Sequence, residues 1–208
     1  LFYLFYITRV PVQNAAKAHG RLSRLTPQRL TVWNNHMKAL SSLLGTGSAQ
    51  AIGAAIAAGD ITSCQATEWY LNRIKQDNAG ATGINCVRSL SRLALEEASR
   101  ADAELAAGRS RGPLHGVPYL VKDNVFTLDG SFASAGARAL VGFLPPYEAT
   151  LVTRLREAGA VLLGKTHLTE FADFVSDVMP SGFSGVGGVV RHPLGGEYGR
   201  GLGSSVGS

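Results

Sequence analysis

The first group in this sequence that could do chemistry is a lysine at the end of a short apolar run. Lys122 directly follows Tyr119-Leu120-Val121 and precedes Asp123. A lysine at the inner end of a buried strand loses hydration, which lowers its pKa and makes it a usable general base. On these residues alone, a surface lysine with its stem on apolar neighbours is an equally good interpretation. Neighbouring strand residues point to opposite faces, so we do not expect Asp123 to pair with Lys122.

The second group is a run of hydroxyl side chains between glycines. Residues 203–208 have the sequence Gly-Ser-Ser-Val-Gly-Ser. Glycines allow close approach of a substrate and orient backbone N–H donors, so serines between them suit nucleophile or proton-relay positions. Taken by itself, the run is better interpreted as a Gly/Ser linker.

A third pattern resembles a nucleotide-binding loop without the context that such a loop needs. Residues 159–166 match Gly, four residues, Gly-Lys-Thr letter for letter. That motif requires a strand before its first glycine and a flexible phosphate-wrapping loop after it. Here an amphipathic helix precedes Gly159, and the intervening residues form an apolar strand whose N–H groups are committed to a sheet. We therefore predict a strand that ends near Lys165 and no nucleotide site.

The elements that must position these groups alternate between helices and short apolar strands. Three helices are predicted before the lysine, over Ala49–Ala58 (after Ser48 as N-cap), from the capping box Thr62–Gln65 onwards, and over Leu90–Leu105. A strand at Tyr119–Val121, a helix over Glu148–Ala158 and a second strand at Ala160–Leu163 follow. This alternation is typical of an α/β layer architecture.

The charge of the chain is concentrated at one end. Residues 1–59 carry six basic side chains and no acid, whereas the remaining 149 residues hold 14 basic and 15 acidic groups. The globular part is therefore nearly neutral, and we expect no nucleic-acid partner. We interpret residues 1–47 as a basic, poorly ordered leader, with the domain spanning 48–208. The leader composition is also compatible with organellar targeting, although a cytoplasmic location is favoured.

The cysteines and histidines of the sequence lack neighbouring side chains that could complete a metal site. Cys64 and Cys86 are far apart and show no zinc-type spacing, and His115 and His192 lie in Gly/Pro loops without partner ligands. No apolar run reaches the roughly 18 residues that a membrane-spanning helix needs. We therefore expect no metal and no membrane contact, and we expect Glu170 to accept hydrogen bonds from backbone N–H groups.

Several motifs, taken together and in order, resemble those of the amidase signature hydrolases. The resemblance covers about Ser48–Ser208 and rests on the following segments: Gly112–Pro118, the strand ending in Lys122-Asp123-Asn124, Gly164–Ala172, Ser181–Gly185, His192-Pro193 and the serine run at 203–208. It implies an α/β fold in which a mixed sheet is flanked by helices.

The resemblance also implies hydrolysis of a carboxamide C–N bond by a Ser–cis-Ser–Lys triad. Lys122 would be the base, and Ser204 would be the bridging serine in a cis peptide bond. The implied substrate is a small-molecule amide, and neither a metal nor an organic cofactor is implied.

The sequence departs from the family pattern in ways that set limits on activity. The family nucleophile lies on a Gly-Gly-Ser turn after the serine pair, and these 208 residues contain no such turn. Leu202 stands where the family usually has glycine, Val206 where it usually has glycine or serine, and His167 where asparagine is common. We therefore expect an N-terminal fragment that is inactive alone. Two alternatives stay open: a non-catalytic remnant or binding subunit that needs a partner chain, and a fragment of the amidase subunit of a tRNA-dependent amidotransferase. An unpaired sheet edge would favour self-association.

Overall fold

The computed structural model describes residues 27–80 and 82–193, together with Gly203, Ser205 and Gly207. The helices and strands within these residues are, in chain order, α1 (Pro27–Thr46), α2 (Ala49–Ala58), α3 (Ser63–Asp77), β1 (Val87–Leu90), α4 (Ala94–Ala106), β2 (Pro118–Lys122), α5 (Thr150–Glu157), β3 (Val161–Thr166), β4 (Phe183–Ser184) and β5 (Gly188–Val189). Short 3₁₀ turns lie at Arg138–Leu140 and Glu170–Asp173.

Strand β3 lies at the centre of a three-stranded mixed sheet. It pairs with β1 in the antiparallel sense and with β2 in the parallel sense, so the strand order is β1-β3-β2. All six residues of β3 are buried. A parallel pair requires a crossover connection, and the segment between β2 and β3 contains α5. Strands β4 and β5 form a separate antiparallel pair.

Apolar residues cover both faces of this sheet. On one face, Val161 and Leu163 of β3 pack in a cluster with Leu44, Ile52 and Ala98 from three of the helices. On the other face, a smaller cluster joins residues of β2 and β3 to the buried Val152 of α5. The sheet therefore lies between helices, which confirms the predicted α/β architecture.

The predicted helix starts depend on local hydrogen bonds that the structure contains. The Ser48 hydroxyl accepts the Ala51 N–H at 3.1 Å and caps α2. Thr62 and Gln65 form a reciprocal capping box at the start of α3, with bonds of 3.0 and 2.9 Å. Gly59 follows α2 with a φ of 77°, a conformation that glycine adopts without strain.

The predicted third helix is too long at its N-terminal end. The sequence pattern predicts a helix over Leu90–Leu105, but α4 begins at Ala94, and Val87–Leu90 forms strand β1. The reason is tertiary, because β1 exists by pairing with β3, from Val87 opposite Thr166 to Leu90 opposite Gly164. Local propensity does not contain this long-range pairing.

The expected leader also differs from the structure over its second half. The charge pattern indicates a poorly ordered segment over residues 1–47, yet Pro27–Thr46 forms α1. Leu40 and Leu44 of this helix are buried in the main core, and the Tyr70 hydroxyl donates to the Leu44 carbonyl at 2.6 Å. Basic composition carries no information about this packing, which depends on two apolar side chains. Residues 1–26 lie outside the described part of the chain.

Within the described residues, no helix combines the length and the apolar character that crossing a bilayer would require.

Candidate active site

Lys122 lies at the carboxyl end of β2, where the backbone leaves the parallel pair with β3. Its register partner in β3 is Thr166. The Lys122 Nζ donates a hydrogen bond of 2.9 Å to the hydroxyl oxygen of Ser205. The side chain is half-buried, and loss of hydration lowers the pKa of the Lys122 amine. The structure therefore brings together the lysine and the serine run that the sequence singles out.

Ser204, the serine chosen by resemblance, lies outside the described residues, and so does the cis peptide bond expected there. Its neighbours define where the segment runs. The Gly203 carbonyl accepts a 2.8 Å hydrogen bond from the Thr169 hydroxyl, and the Gly207 N–H donates to the His167 carbonyl at 3.0 Å. Both anchors lie within three residues of the end of β3. Ser205, which contacts the lysine, is not among the predicted site residues, although its place in the Ser-Ser pair is a signal for it.

Gly207 sits where only a glycine fits. A Cβ at this position would overlap the carbonyl oxygens of His167 and Cys86. Gly207 therefore lies directly against the backbone of Cys86, just before β1, and of His167, just after β3. This close approach explains the need for a glycine on the far side of the serine pair.

Asp123 forms its ion pair with Arg88 and not with Lys122, and it has a structural role. Its carboxylate is fully buried and pairs with Arg88 at 3.1 Å. One carboxylate oxygen accepts the Ser134 hydroxyl at 2.6 Å and the backbone N–H groups of Ser134 and Gly136, each at 3.2 Å. These bonds fix the residue next to Lys122 in the chain.

Lys165 is part of a strand, as expected for the segment that resembles a nucleotide-binding loop. It lies in β3 between two paired strands, and its side chain is fully buried. Its Nζ donates to the Val125 carbonyl at 2.8 Å, and burial lowers its pKa. Backbone N–H groups in this sheet are not free to bind phosphate.

The side chains of Glu170 and His115 contact backbone groups, which indicates structural roles. Glu170 accepts the Gly185 N–H at 2.7 Å, as predicted. His115 is buried; its Nδ1 accepts the Arg111 N–H at 3.1 Å, and its Nε2 lies 2.9 Å from the Ala101 carbonyl. No group of three or more potential metal-binding side chains occurs among the residues that the structure describes.

Both cysteines have thiols of low reactivity. Burial raises the pKa of Cys64 and of Cys86 to about 11, so neither forms a thiolate readily near neutral pH. Each is a free cysteine in the structure.

Chemically, the arrangement can move a proton between a hydroxyl and an amine. A lysine of lowered pKa lies within hydrogen-bond distance of a serine hydroxyl, at the edge of the sheet where a parallel strand pair ends. General bases act over this distance.

The comparisons with known proteins agree with this picture. The family model described as Amidase matches residues 65–208. The native peptide amidase of Stenotrophomonas maltophilia is 42% identical with a TM-score of 0.71, over 77% of this chain and 32% of that one. An amidase family protein of Bacillus anthracis is 30% identical with a TM-score of 0.74, over 91% of this chain and 36% of that one.

Among curated proteins, one chain of the glutamyl-tRNA(Gln) amidotransferase of Chloroflexus aurantiacus is 48% identical over 120 residues, which are 57% of this chain and 24% of that one. The chain spans between 16% and 26% of the length of the curated relatives that it matches. The family match covers most of the described residues and includes both Lys122 and the serine run. The chain belongs to the amidase family.

Proposed function

We propose that this chain supplies the general-base end of an amidase active site that hydrolyses the C–N bond of a carboxamide. The observation that supports this is the 2.9 Å hydrogen bond from Lys122 Nζ to Ser205 Oγ, which joins residues 83 positions apart. A half-buried lysine of lowered pKa beside a Ser-Ser pair is the arrangement that a lysine-driven serine relay requires.

In the proposed relay, the neutral amine of Lys122 takes a proton from the hydroxyl of Ser204, the bridging serine by resemblance and the neighbour of Ser205, which the amine contacts. Ser204 in turn takes a proton from the nucleophilic serine of the later Gly-Gly-Ser turn. The nucleophile attacks the amide carbonyl, and the C–N bond breaks as the proton taken up by Lys122 returns through Ser204 to the leaving nitrogen. Water then hydrolyses the acyl-enzyme and restores the serine hydroxyl. No step of this relay uses a metal or an organic cofactor.

We infer that a polypeptide of only these 208 residues does not hydrolyse amides. It contains no counterpart of the Gly-Gly-Ser turn, which supplies both the nucleophile and the oxyanion donors in this scheme. Loss of a single oxyanion donor already costs on the order of 10²–10³ in rate. A fluorophosphonate probe should therefore leave every serine of this polypeptide unlabelled, and stoichiometric labelling of one serine would contradict the inference.

A hybrid enzyme tests the proposed base. The part of the Stenotrophomonas maltophilia peptide amidase that continues beyond the region matched by this chain is joined after Ser208, and ammonia release from a peptide amide is measured. Because general bases contribute about 10²–10⁴ to rate, Lys122→Met should lower kcat of an active hybrid by that factor. Lys75→Met, which changes an exposed lysine of α3, is the matched control and should keep full activity. Equal rates for the two variants would remove Lys122 from the mechanism.

A second candidate function is that of the amidase component of a tRNA-dependent amidotransferase. The similarity to a chain of such an enzyme favours it. This function differs in requiring glutamine as the amide and a second chain that handles tRNA. Glutamine hydrolysis that depends on added tRNA-binding partner chains would support it, whereas hydrolysis of peptide amides by the hybrid alone would favour the first candidate.

A further inference from the structure

Lys165 is a buried lysine that the proposed relay does not use. Its side chain is fully buried in β3, the central strand of the sheet. Its Nζ donates to the Val125 carbonyl at 2.8 Å and lies 3.4 Å from the Asp123 carbonyl. A buried amine is costly unless its donors are hydrogen-bonded, so these two carbonyl contacts are what retain it.

The carbonyls that Lys165 binds belong to the turn that carries Lys122. The Val125 N–H donates to the Lys122 carbonyl at 2.9 Å and closes the turn 122–125. The Asp123 N–H donates to the Thr166 carbonyl at 3.0 Å, so the turn also stays attached to β3. Lys165 of β3 therefore binds the backbone of the residues that directly follow Lys122.

Four other titratable side chains surround this turn. Asp123 lies in the turn itself and pairs with Arg88 of β1. Asp129 follows the turn, where its carboxylate accepts the Thr127 hydroxyl at 2.7 Å, and His167 follows β3. The two carboxylates favour the protonated form of Lys165, whereas burial and Arg88 oppose it.

We propose that Lys165 is a positioning residue for Lys122: its amine ties the turn 122–125 to β3 and so holds the Lys122 amine half-buried beside Ser205. The inference rests on the proposed function, because it assigns a role to Lys165 only through Lys122. It also accounts for the lysine in the string that resembles a nucleotide-binding loop.

The test measures each lysine by trace acetylation of the folded chain with acetic anhydride across a pH series. In the wild-type chain, we expect the reactivity midpoint of Lys122 to lie below that of the exposed Lys75, and we expect Lys165 to be protected. Lys165→Met removes the bonds to the turn, so water should reach Lys122 and its midpoint should rise towards that of Lys75. A rise of half a pH unit lowers the neutral fraction of Lys122 about three-fold at a fixed lower pH.

Thermal melting establishes that each variant is folded before it is acetylated. Lys165→Arg keeps a cation with several N–H donors and should keep the low midpoint of Lys122. If Lys165 only filled space, the Arg and Met variants would give the same Lys122 midpoint. Lys165→Leu, which also has no donor and is shorter than Met, replaces the Met variant if that variant does not fold.

Three outcomes separate this inference from the proposed function. A raised Lys122 midpoint in the neutral variant supports the inference. A midpoint that is low in wild type and unchanged in the folded Met or Leu variant overturns the inference alone. Equal midpoints for Lys122 and Lys75 in the wild-type chain overturn both the inference and the proposed base.

Discussion

The imidazole of His167, at the end of β3, is 5% exposed. Burial lowers the pKa of His167 to about 4, the charge of Arg88 acts in the same direction, and Asp123 opposes both. Its Nδ1 has no hydrogen-bond partner among the described residues. Protonation of this ring in the folded protein would therefore add a poorly solvated charge close to a guanidinium.

The stability of the protein should consequently depend on pH through His167. An unfolded histidine titrates near pH 6.5, so the unfolded chain binds this proton before the folded chain does as the pH falls. The contribution of His167 to the free energy of unfolding should be constant above about pH 6.5 and should decrease as the pH falls to about 4, by up to about 3 kcal/mol. Urea denaturation at several pH values measures this.

The matched variant is His167→Gln, which retains polarity but does not titrate. It should flatten the decrease between about pH 6.5 and pH 4, while leaving the carboxylate-dependent losses at lower pH in place. Parallel pH profiles for the wild type and the variant would show that His167 is not the group responsible.

The elements show which parts of this fold are local and which are not. The cap at Ser48, the capping box at Thr62 and the strand before Lys122 could be predicted, because each depends on residues a few positions apart. Strand β1 could not, since it exists only by pairing with β3. The site could be predicted only in part, for the same reason. The position of Lys122 follows from a local strand pattern, whereas its contact with Ser205 joins residues 83 positions apart and has no local signal.

Gly164 is the second glycine of the pattern at 159–166 that resembles a phosphate-binding loop, and the sheet explains why it is a glycine. It lies inside β3 at an irregular point of the pairing with β2, with a φ of 153°. A Cβ there would overlap the Ser89 carbonyl of the neighbouring strand. The glycine is therefore required by close strand approach.

We expect Gly164→Ala to destabilise the protein by about 1–3 kcal/mol, since it overpacks a buried strand pair at a backbone angle that alanine rarely adopts. The matched control is Gly130→Ala, which also has a positive φ, of 84°, but faces open space. Guanidinium denaturation compares the two. Equal losses would attribute the effect to backbone angle alone.

At the scale of the whole molecule, the core begins earlier in the chain than its charge pattern suggests. Leu44 of α1 is fully buried and belongs to the same core cluster as residues of α2, α3 and β3. The sheet is bounded by β1 and β2 among the described residues, so the expected self-association through an edge stays a prediction.

The contribution of α1 can be measured by shortening the chain. A polypeptide that begins at Ser48 should melt at a lower temperature than one that begins at Pro27, because it exposes the surface that α1 covers. Leu44→Ala should cost about 2–5 kcal/mol. Lys38→Ala, at an exposed position of the same helix, is the control and should change stability little. Identical melting of the two shortened chains would show that α1 does not stabilise the core.

The separation of 83 positions between Lys122 and Ser205 has a consequence for biosynthesis. At ribosomal rates of about 5–20 residues per second, the lysine leaves the exit tunnel on the order of ten seconds before its serine partner. Helices α2 to α4 and strand β2 can collapse during this interval, because their contacts lie within residues already made. The Lys122 amine is therefore present in the nascent chain before Ser205, and Ser205 docks onto a surface that residues earlier in the chain have already formed.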